Sequence, residues 1–178
     1  MMGRRLPGEL DGREGTVPDV DQVSAFLAAR GVPVLRFEEA TPTAPAAARA
    51  VGCSVGEIAK TLLFLVGGAP VAVIAAGDVK VAGGKLKRTL GRTGKVRLPT
   101  AEEVHRHTGY SPGGVCPFLL PPRLPLLLDV SLRRFPTVYP AAGDDHTAVP
   151  VSVDRLVALT GAREVDVCRP PPAGGTPP

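Results

Sequence analysis

Two apolar runs dominate the hydrophobic pattern of this 178-residue chain. They occupy residues 61–66 and 71–76, and Gly67–Gly68 lies between them. A glycine pair between two short apolar runs is typical of a hairpin turn. Because both runs are apolar at nearly every position, they predict strands that are buried on both faces. The pattern therefore predicts a buried antiparallel hairpin.

Shorter segments on either side alternate between helical and extended patterns. Helices with a capping side chain or a terminal glycine are predicted at residues 19–29, 44–51, 81–90, 100–107 and 152–159. Further strands are predicted at residues 32–37, 95–98, 126–130, 137–139, 147–151 and 165–167. Interleaved helices and strands with a hairpin predict an α/β (α+β) domain, in which helices pack on a mixed, largely antiparallel sheet.

The two ends of the chain lack any such periodicity. Residues 1–17 are polar and Gly-rich, and residues 169–178 consist mainly of Pro and Gly. We expect a disordered leader and a disordered tail at these positions. A single ordered domain is predicted between them, over residues 18–168.

The composition excludes several classes of protein. The chain has no Trp, and its three cysteines are widely spaced with no C-x-x-C pair. We therefore expect no disulfide framework and no metal site. No apolar run approaches the roughly 18 residues of a membrane span, and the first residues lack the apolar stretch of a signal peptide. The default interpretation is a cytoplasmic protein with no membrane partner.

Lys60 is the first residue that suggests chemistry, because it stands where the first apolar run begins. A lysine that enters a buried strand is costly to desolvate unless an anion lies nearby. Two interpretations remain open: a functional cation, or a lysine whose ammonium reaches solvent from the end of the strand. Composition alone favours the second.

A Gly- and Pro-rich stretch at residues 108–117 is the second candidate. Its glycines allow positive φ angles, and its prolines restrict the residues before them. Backbone N–H groups without ladder partners can converge on an anion or on a developing oxyanion. The alternative is a plain connecting loop, which the stretch alone favours.

The third candidate is the segment 141–146, in which Gly143 precedes two acids and His146. A glycine followed by acids is typical of a turn. His146 either enters a pocket or lies on the surface, and the second option is favoured without other information.

A block of basic residues forms the fourth candidate. Residues 80–97 contain seven cations and no acid: Lys80, Lys85, Lys87, Arg88, Arg92, Lys95 and Arg97. A block of one sign suits a phosphate backbone, although a solvated face is the alternative. Because the block has no aromatic residue to stack on bases, we interpret it as a phosphate cradle. We expect solvent or an external polyanion to match its charges.

Several of these motifs, taken in order, resemble the YbaK/EbsC family. Residues 43–52 (TAPAAARAVG) and 58–64 (IAKTLLF) are similar to the family's "T-A-x-x-A-A-x-x-x-G" and "I-A-K-[ST]-L-x-F" segments. Thr108–Gly109–Tyr110 with Gly113–Pro117 resembles its "TGY" and G-x-x-x-P loop. Further landmarks match at 129–132, 142–143 and 156–162, so the resemblance covers about residues 20–167.

The resemblance implies a fold and an activity. The fold would be YbaK-like, with a mixed sheet or a partly open barrel surrounded by helices. The activity would be hydrolysis in trans of the ester bond in mischarged aminoacyl-tRNA, often alanine or cysteine on the proline tRNA. No metal, organic cofactor or enzymic nucleophile is implied. The nucleophile would be water, a ribose hydroxyl of the substrate or a thiol of the substrate.

The resemblance also implies roles for individual residues. Lys60 would be the essential lysine that faces the terminal adenosine and the ester. A loop of four residues would hold the carbonyl through its backbone: Gly113, Gly114, Val115 and Cys116. Residues that would contact the substrate are Thr61, Pro117, Gly143 and, by a looser match, His146. The expected partners are the acceptor end of aminoacyl-tRNA and prolyl-tRNA synthetase.

Two departures from the family pattern concern specificity. Relatives usually continue with Phe-Gly after Pro117, whereas this chain continues with residues 118–122 (FLLPP), and position 116 varies within the family.

Two other functions remain open from the sequence. One is a catalytically silent module that binds tRNA or a nucleotide, and the other is a regulatory protein that binds free amino acids or their adenylates.

Overall fold

In the computed structural model, which describes residues 18–171, short helices surround a central sheet. Over these residues the α-helices are α1 (Val20–Ala28), α2 (Ala44–Val51), α3 (Gly83–Leu90), α4 (Ala101–Thr108) and α5 (Val153–Thr160). The strands are β1 (Leu35–Arg36), β2 (Ala59–Val66), β3 (Ala69–Ala76), β4 (Lys80–Val81), β5 (Val96–Arg97), β6 (Leu126–Asp129), β7 (Thr147–Ala148), β8 (Arg163–Val165) and β9 (Cys168–Arg169). Two 3₁₀ turns span Val55–Glu57 and Val130–Arg134.

The central sheet is built on the predicted hairpin. Its strand order is β5-β2-β3-β6-β8, with β2 antiparallel to β3 and β5, and β6 parallel to β3 and β8. Strand β3 lies in the middle, and its residues 71–76 are fully buried. The smaller pairs β1–β7 and β4–β9 are antiparallel. The prediction of a mixed, largely antiparallel sheet with surrounding helices is confirmed, and the sheet does not close into a barrel.

The helices begin and end where their capping residues stand. The Asp19 and Thr100 side chains accept hydrogen bonds from the first turns of α1 and α4, and a Gln or Glu side chain returns the bond in each capping box. Helices α2, α4 and α5 end at glycines in the left-handed conformation. Helix α3 is shorter than predicted, because Lys80–Val81 is extended and pairs with Cys168–Arg169.

Other segments also differ from the prediction. Residues 137–139 make only isolated bridges, to Ile58 and Val151, because Pro136 and Pro140 on either side cannot donate ladder hydrogen bonds. The last strands are β8 and β9 instead of residues 165–167. Arg169 was assigned to the disordered tail but pairs with Lys80. The predicted leader (residues 1–17) and residues 172–178 of the tail lie outside the described residues.

No helix in residues 18–171 is long and apolar enough to cross a membrane.

Asp129 is a buried carboxylate that ties the end of the sheet to the C-terminal strand. It is 1% exposed, and its Oδ1 accepts hydrogen bonds from the N–H groups of Val167 at 2.8 Å and Cys168 at 3.1 Å. Its Oδ2 accepts from the N–H of Ser131 at 2.9 Å. Burial raises the pKa of this carboxyl, but the hydrogen bonds outweigh burial and hold the pKa below its usual value. The charged form is therefore part of the fold.

We expect Asp129→Asn to lower the free energy of unfolding at pH 7 by about 2–3 kcal/mol, because a neutral amide replaces a charged acceptor of buried N–H groups. A carboxyl whose folded pKa is lowered stabilises the fold above its unfolded pKa, near 3.9. That contribution is lost as the pH falls through the folded pKa. Urea unfolding of both proteins at several pH values should show the difference shrinking in acid. Asp154→Asn, at an exposed carboxylate, is the control.

Candidate active site

A cavity of about 290 Å³ lies beside the start of β2. Two of its walls come from residues 58–62, at the start of β2, and from Gly113 and Val115 of the Gly/Pro-rich loop. The remaining wall comes from segments that flank α2 and β7: residues 41–44, Ala47, Tyr139, Ala141, Asp144, Asp145, Thr147 and Ala148. The hairpin therefore brings Lys60 and Thr61 to the same cavity as the loop.

Lys60 lines this cavity and is half-buried. Its Nζ donates a hydrogen bond to the carbonyl oxygen of Val79 at 2.6 Å. Burial lowers the pKa of the Lys60 ammonium, and the nearby Cys168 and Asp78 oppose that effect. The side chain is thus neither a surface lysine nor half of a direct ion pair within residues 18–171. A partly desolvated cation at the edge of a cavity can stabilise negative charge that develops there.

Thr61 follows Lys60 in β2 and also lines the cavity. Its Oγ1 is buried and has no hydrogen-bond partner among residues 18–171. Buried hydroxyl groups are nearly always hydrogen-bonded in folded proteins. The unpaired Oγ1 is consistent with the substrate contact predicted for Thr61.

The loop after α4 holds its backbone open at the cavity. Gly113 has φ +83°, a conformation that favours glycine, and Gly114 N–H bonds to the Ser111 carbonyl at 2.9 Å. The N–H groups of Gly113, Val115 and Cys116 make no hydrogen bond to any other residue of 18–171. Two of these amides belong to residues that line the cavity. The loop can therefore offer backbone donors to a ligand.

Buried side chains hold the base of this loop. Tyr110 is fully buried, and its hydroxyl donates to the Phe118 carbonyl at 2.6 Å, which closes the loop across eight residues. The Cys116 side chain is also fully buried, and its Sγ lies 3.7 Å from the same carbonyl. Burial raises the pKa of the Cys116 thiol to about 12. The sulfur is therefore protonated at neutral pH and takes no part in the cavity.

Segment 143–146 approaches the loop from the other side. Gly143, at φ +113°, packs so closely on Gly114 that a Cβ at Gly114 would lie 3.1 Å from the Gly143 carbonyl oxygen. Asp144 and Asp145 both line the cavity. The His146 ring does not line it. Its Nδ1 lies 3.1 Å from the Phe37 carbonyl oxygen and its Nε2 3.5 Å from the Asp145 carboxylate.

The structure brings part of the predicted site together. Lys60, Thr61, Gly113 and Val115 line one cavity, with Gly114 and Gly143 in contact behind it. Pro117 instead lines a separate apolar groove with Phe26 and residues 119–122. In residues 18–171 no three His, Cys, Asp or Glu side chains come together as metal ligands.

The sequence analysis missed the acids of the cavity. Asp144 and Asp145 were interpreted only as turn residues, because acids after a glycine are common in turns. No local sequence signal reveals their place in the cavity, because Thr41, the partner of Asp145 and two residues before the cap of α2, lies 104 residues away in the chain. Its N–H and hydroxyl both donate to the Asp145 carbonyl, at 2.6 and 2.8 Å, and so join the two segments that face β2.

The basic block is only partly as predicted. The expectation that its cations lack protein partners is wrong for Lys85 and Arg97, which pair with Asp166 at 3.0 Å and Glu103 at 2.8 Å. Both acids lie outside the block in sequence, so the block alone could not reveal them. Arg92 donates to the carbonyls of residues 69 and 70. The side chains of four cations make no ion pair or hydrogen bond within residues 18–171: Lys80, Lys87, Arg88 and Lys95.

The chain is similar to several known proteins. The family model for the aminoacyl-tRNA editing domain matches residues 38–159. The uncharacterized protein YwhH of Bacillus subtilis (strain 168) is 38% identical over 138 residues, which cover 76% of this chain and 87% of YwhH.

Two crystal structures are similar over nearly their whole length. A candidate trans-editing enzyme for prolyl-tRNA synthetase is 34% identical with a TM-score of 0.76, covering 86% of this chain and 98% of the other. The hypothetical protein APE2540 is 36% identical with a TM-score of 0.74, covering 83% of this chain and 99% of the other. The matched region contains both walls of the cavity. As the YbaK/EbsC-like motifs predict, the chain belongs to the family of aminoacyl-tRNA editing domains.

Proposed function

We propose that this chain is a trans-acting deacylase that hydrolyses the ester of mischarged aminoacyl-tRNA, with alanine or cysteine on the proline tRNA as its substrates. The observation that carries the proposal is the shared cavity of Lys60, Thr61 and the loop residues Gly113 and Val115. The similarity to a candidate trans-editing enzyme for prolyl-tRNA synthetase supports the choice of tRNA.

The reaction requires few catalytic groups from the protein, because an aminoacyl ester is already activated. Attack on the ester carbonyl creates a tetrahedral oxyanion, which needs donors fixed in advance. The loop amides of Gly113, Val115 and Cys116 and the Lys60 ammonium are the candidate donors. Water, a ribose hydroxyl of the tRNA or, for cysteine, the substrate's own thiol supplies the nucleophile, so no enzymic nucleophile is required.

The charges of the cavity suit an amino acid ester. Its amino group is a cation when protonated, and two acidic residues, Asp144 and Asp145, line the same cavity as Lys60. Small side chains cover much of the wall: Ala44, Ala47, Ala59, Ala141 and Ala148. These methyl groups make much of the wall apolar, which suits the side chains of alanine and cysteine. One methylene is worth only about 1–3 kcal/mol in a pocket, so a sieve of this kind discriminates modestly.

Lys60→Ala should lower the rate of deacylation by about 100-fold or more, because a preorganised donor to the oxyanion is removed. We expect the melting temperature to stay nearly unchanged or to rise, since Lys60 is a partly desolvated cation whose hydrogen-bond partner among residues 18–171 is a neutral carbonyl. Release of alanine and cysteine from mischarged proline tRNA measures the first quantity, and thermal unfolding measures the second.

Two results would contradict this assignment. A joint loss of fold and activity in Lys60→Ala would make Lys60 a structural residue. No release by the unmodified protein from any of a panel of mischarged tRNAs would favour a catalytically silent module that binds tRNA. Lys85→Ala, at an α3 lysine that already pairs with Asp166, is the matched lysine control.

Cys116→Ala should keep most of the deacylase activity. The thiol is fully buried and its pKa is raised to about 12, so it supplies neither thiolate nor contact to the cavity. Single-turnover kinetics on mischarged tRNA measure the effect. A thioester trapped on Cys116 in the unmodified protein would refute the proposal that no enzymic nucleophile acts.

Four cations on and near α3 lack a side-chain partner within residues 18–171: Lys80, Lys87, Arg88 and Lys95. We propose that they bind the acceptor arm of the tRNA. Phosphate contacts release counterions, so neutralising Lys80, Lys87 and Arg88 together should raise KM for every tRNA alike and leave kcat largely intact. The log–log salt slope should flatten by roughly 0.7–0.9 per lost contact. The control neutralises Lys85 and Arg97, which already have acidic partners. An unchanged slope in the triple variant would assign tRNA binding to another surface or to prolyl-tRNA synthetase.

A further inference from the structure

The Lys60 ammonium is held by the turn that follows β3. Its Nζ lies 2.6 Å from the carbonyl oxygen of Val79, a residue that is 3% exposed. A hydrogen bond of 3.3 Å from the Val79 N–H to the Ala76 carbonyl closes the turn. The direction in which the Lys60 side chain points therefore depends on where this turn holds the Val79 carbonyl.

A two-pronged ion pair fixes the turn from outside. Arg134 donates from Nη2 to Asp78 Oδ1 at 2.6 Å and from Nη1 to Asp78 Oδ2 at 3.0 Å. The guanidinium is itself held, because its Nε donates to the Ser131 carbonyl at 2.8 Å and it lies 4.8 Å from the centre of the Phe135 ring. Arg134 thus connects the 3₁₀ turn after β6 to the residue immediately before Val79.

Close packing leaves the turn little freedom. A Cβ at Gly77 would collide with the Val55 carbonyl oxygen, and a Cβ at Gly56 would lie 2.6 Å from Phe135 and 3.0 Å from Asp78. The turn 76–79 therefore sits between the Val55–Glu57 3₁₀ turn and the Arg134–Phe135 side chains. A shift of Asp78 in this setting moves the neighbouring Val79 carbonyl with it.

We propose that Asp78 and Arg134 are positioning residues for Lys60: their ion pair locks turn 76–79, and the Val79 carbonyl of that turn fixes where the ammonium lies beside the cavity. The proposal rests on the function proposed above for Lys60. Both side chains of the pair are about one-third exposed, at 31% and 37%. Ion pairs this exposed stabilise folded proteins only slightly, so global stability is a poor explanation for so tightly held a pair.

A purely electrostatic role for the Asp78–Arg134 pair predicts a different result from a positioning role. The groups that face the Lys60 ammonium are Asp78, Lys80 and Cys168, and Arg134 lies behind Asp78. If the pair acted only through its charges, removing the Asp78 carboxylate would destabilise the protonated form of Lys60. Removing the Arg134 guanidinium would stabilise that form. The two variants would then change activity in opposite directions. Positioning requires both variants to lose activity.

The test measures kcat and KM for mischarged tRNA with Asp78→Asn, Arg134→Gln and the double variant. We expect each single variant to lower kcat by about 10- to 100-fold with little change in KM, since a misplacement near 1 Å has such an effect. Because the two residues act as one unit, the double variant should lose no more than the worse single variant. Arg133→Gln is the matched control: the adjacent Arg133 forms an equally tight pair with Glu164, at 2.8 and 2.9 Å, away from the turn.

Opposite changes in the two single variants, or losses no larger than in Arg133→Gln, would overturn the proposal. A second readout does not depend on catalysis. NMR of the Lys60 side-chain ammonium should show a hydrogen-bonded, slowly exchanging group in the unmodified protein and in Arg133→Gln, but not in Asp78→Asn or Arg134→Gln. If the unmodified protein hydrolyses no ester, the proposed function fails, and this NMR comparison still decides whether the pair holds Lys60.

Discussion

The antiparallel pairing of β2 with β3 is the constraint on which the site depends. Eight consecutive residue pairs join the two strands, from Ala59 with Ala76 to Val66 with Ala69. Because β3 is buried on both faces, its partner cannot shift by one residue without turning its side chains to the opposite face. The register therefore determines that Lys60 reaches the turn at the end of β3 while Thr61 keeps its hydroxyl buried at the cavity.

The second wall of the cavity is built on a different principle. The loop after α4 has little regular hydrogen bonding, and its shape is maintained by a few buried groups, chiefly Tyr110 bonded to the Phe118 carbonyl. Glycines at 113 and 143 adopt backbone angles that other residues rarely reach. One wall is thus a strand whose position follows from sheet pairing, and the other is a loop whose position follows from side chains beneath it.

Hydrophobic pattern and capping residues were sufficient to predict the central hairpin and the helices that surround it. The glycine pair at 67–68 identified the hairpin, Thr100 identified the start of one helix and Gly52 identified the end of another. The prediction was weakest where partners are distant in sequence. Nothing near Lys80 indicates that it pairs with Arg169, and nothing near Lys85 indicates Asp166.

The same limit applies to the cavity. The motifs pointed to Lys60, Thr61 and the loop, but its acids come from a turn about 80 residues after Lys60 in the chain. Contacts between side chains so far apart depend on how the elements pack. Local periodicity, caps and turn residues carry no information about them. His146 shows the converse, since a loose match to the family implied a substrate contact and its ring contacts Phe37 and Asp145 instead.

The open backbone of the loop has a consequence for how such a protein varies between relatives. Every residue except proline carries the same N–H group, so in the proposed reaction the donors at Val115 and Cys116 survive almost any exchange of side chains, whereas the donor at Gly113 also depends on a positive φ angle that favours glycine. Position 116 is free to drift as long as the buried space beneath it stays filled. The change that this chemistry tolerates least is a new proline at one of those three positions, because it deletes the donor itself and leaves every other side chain of the cavity in place.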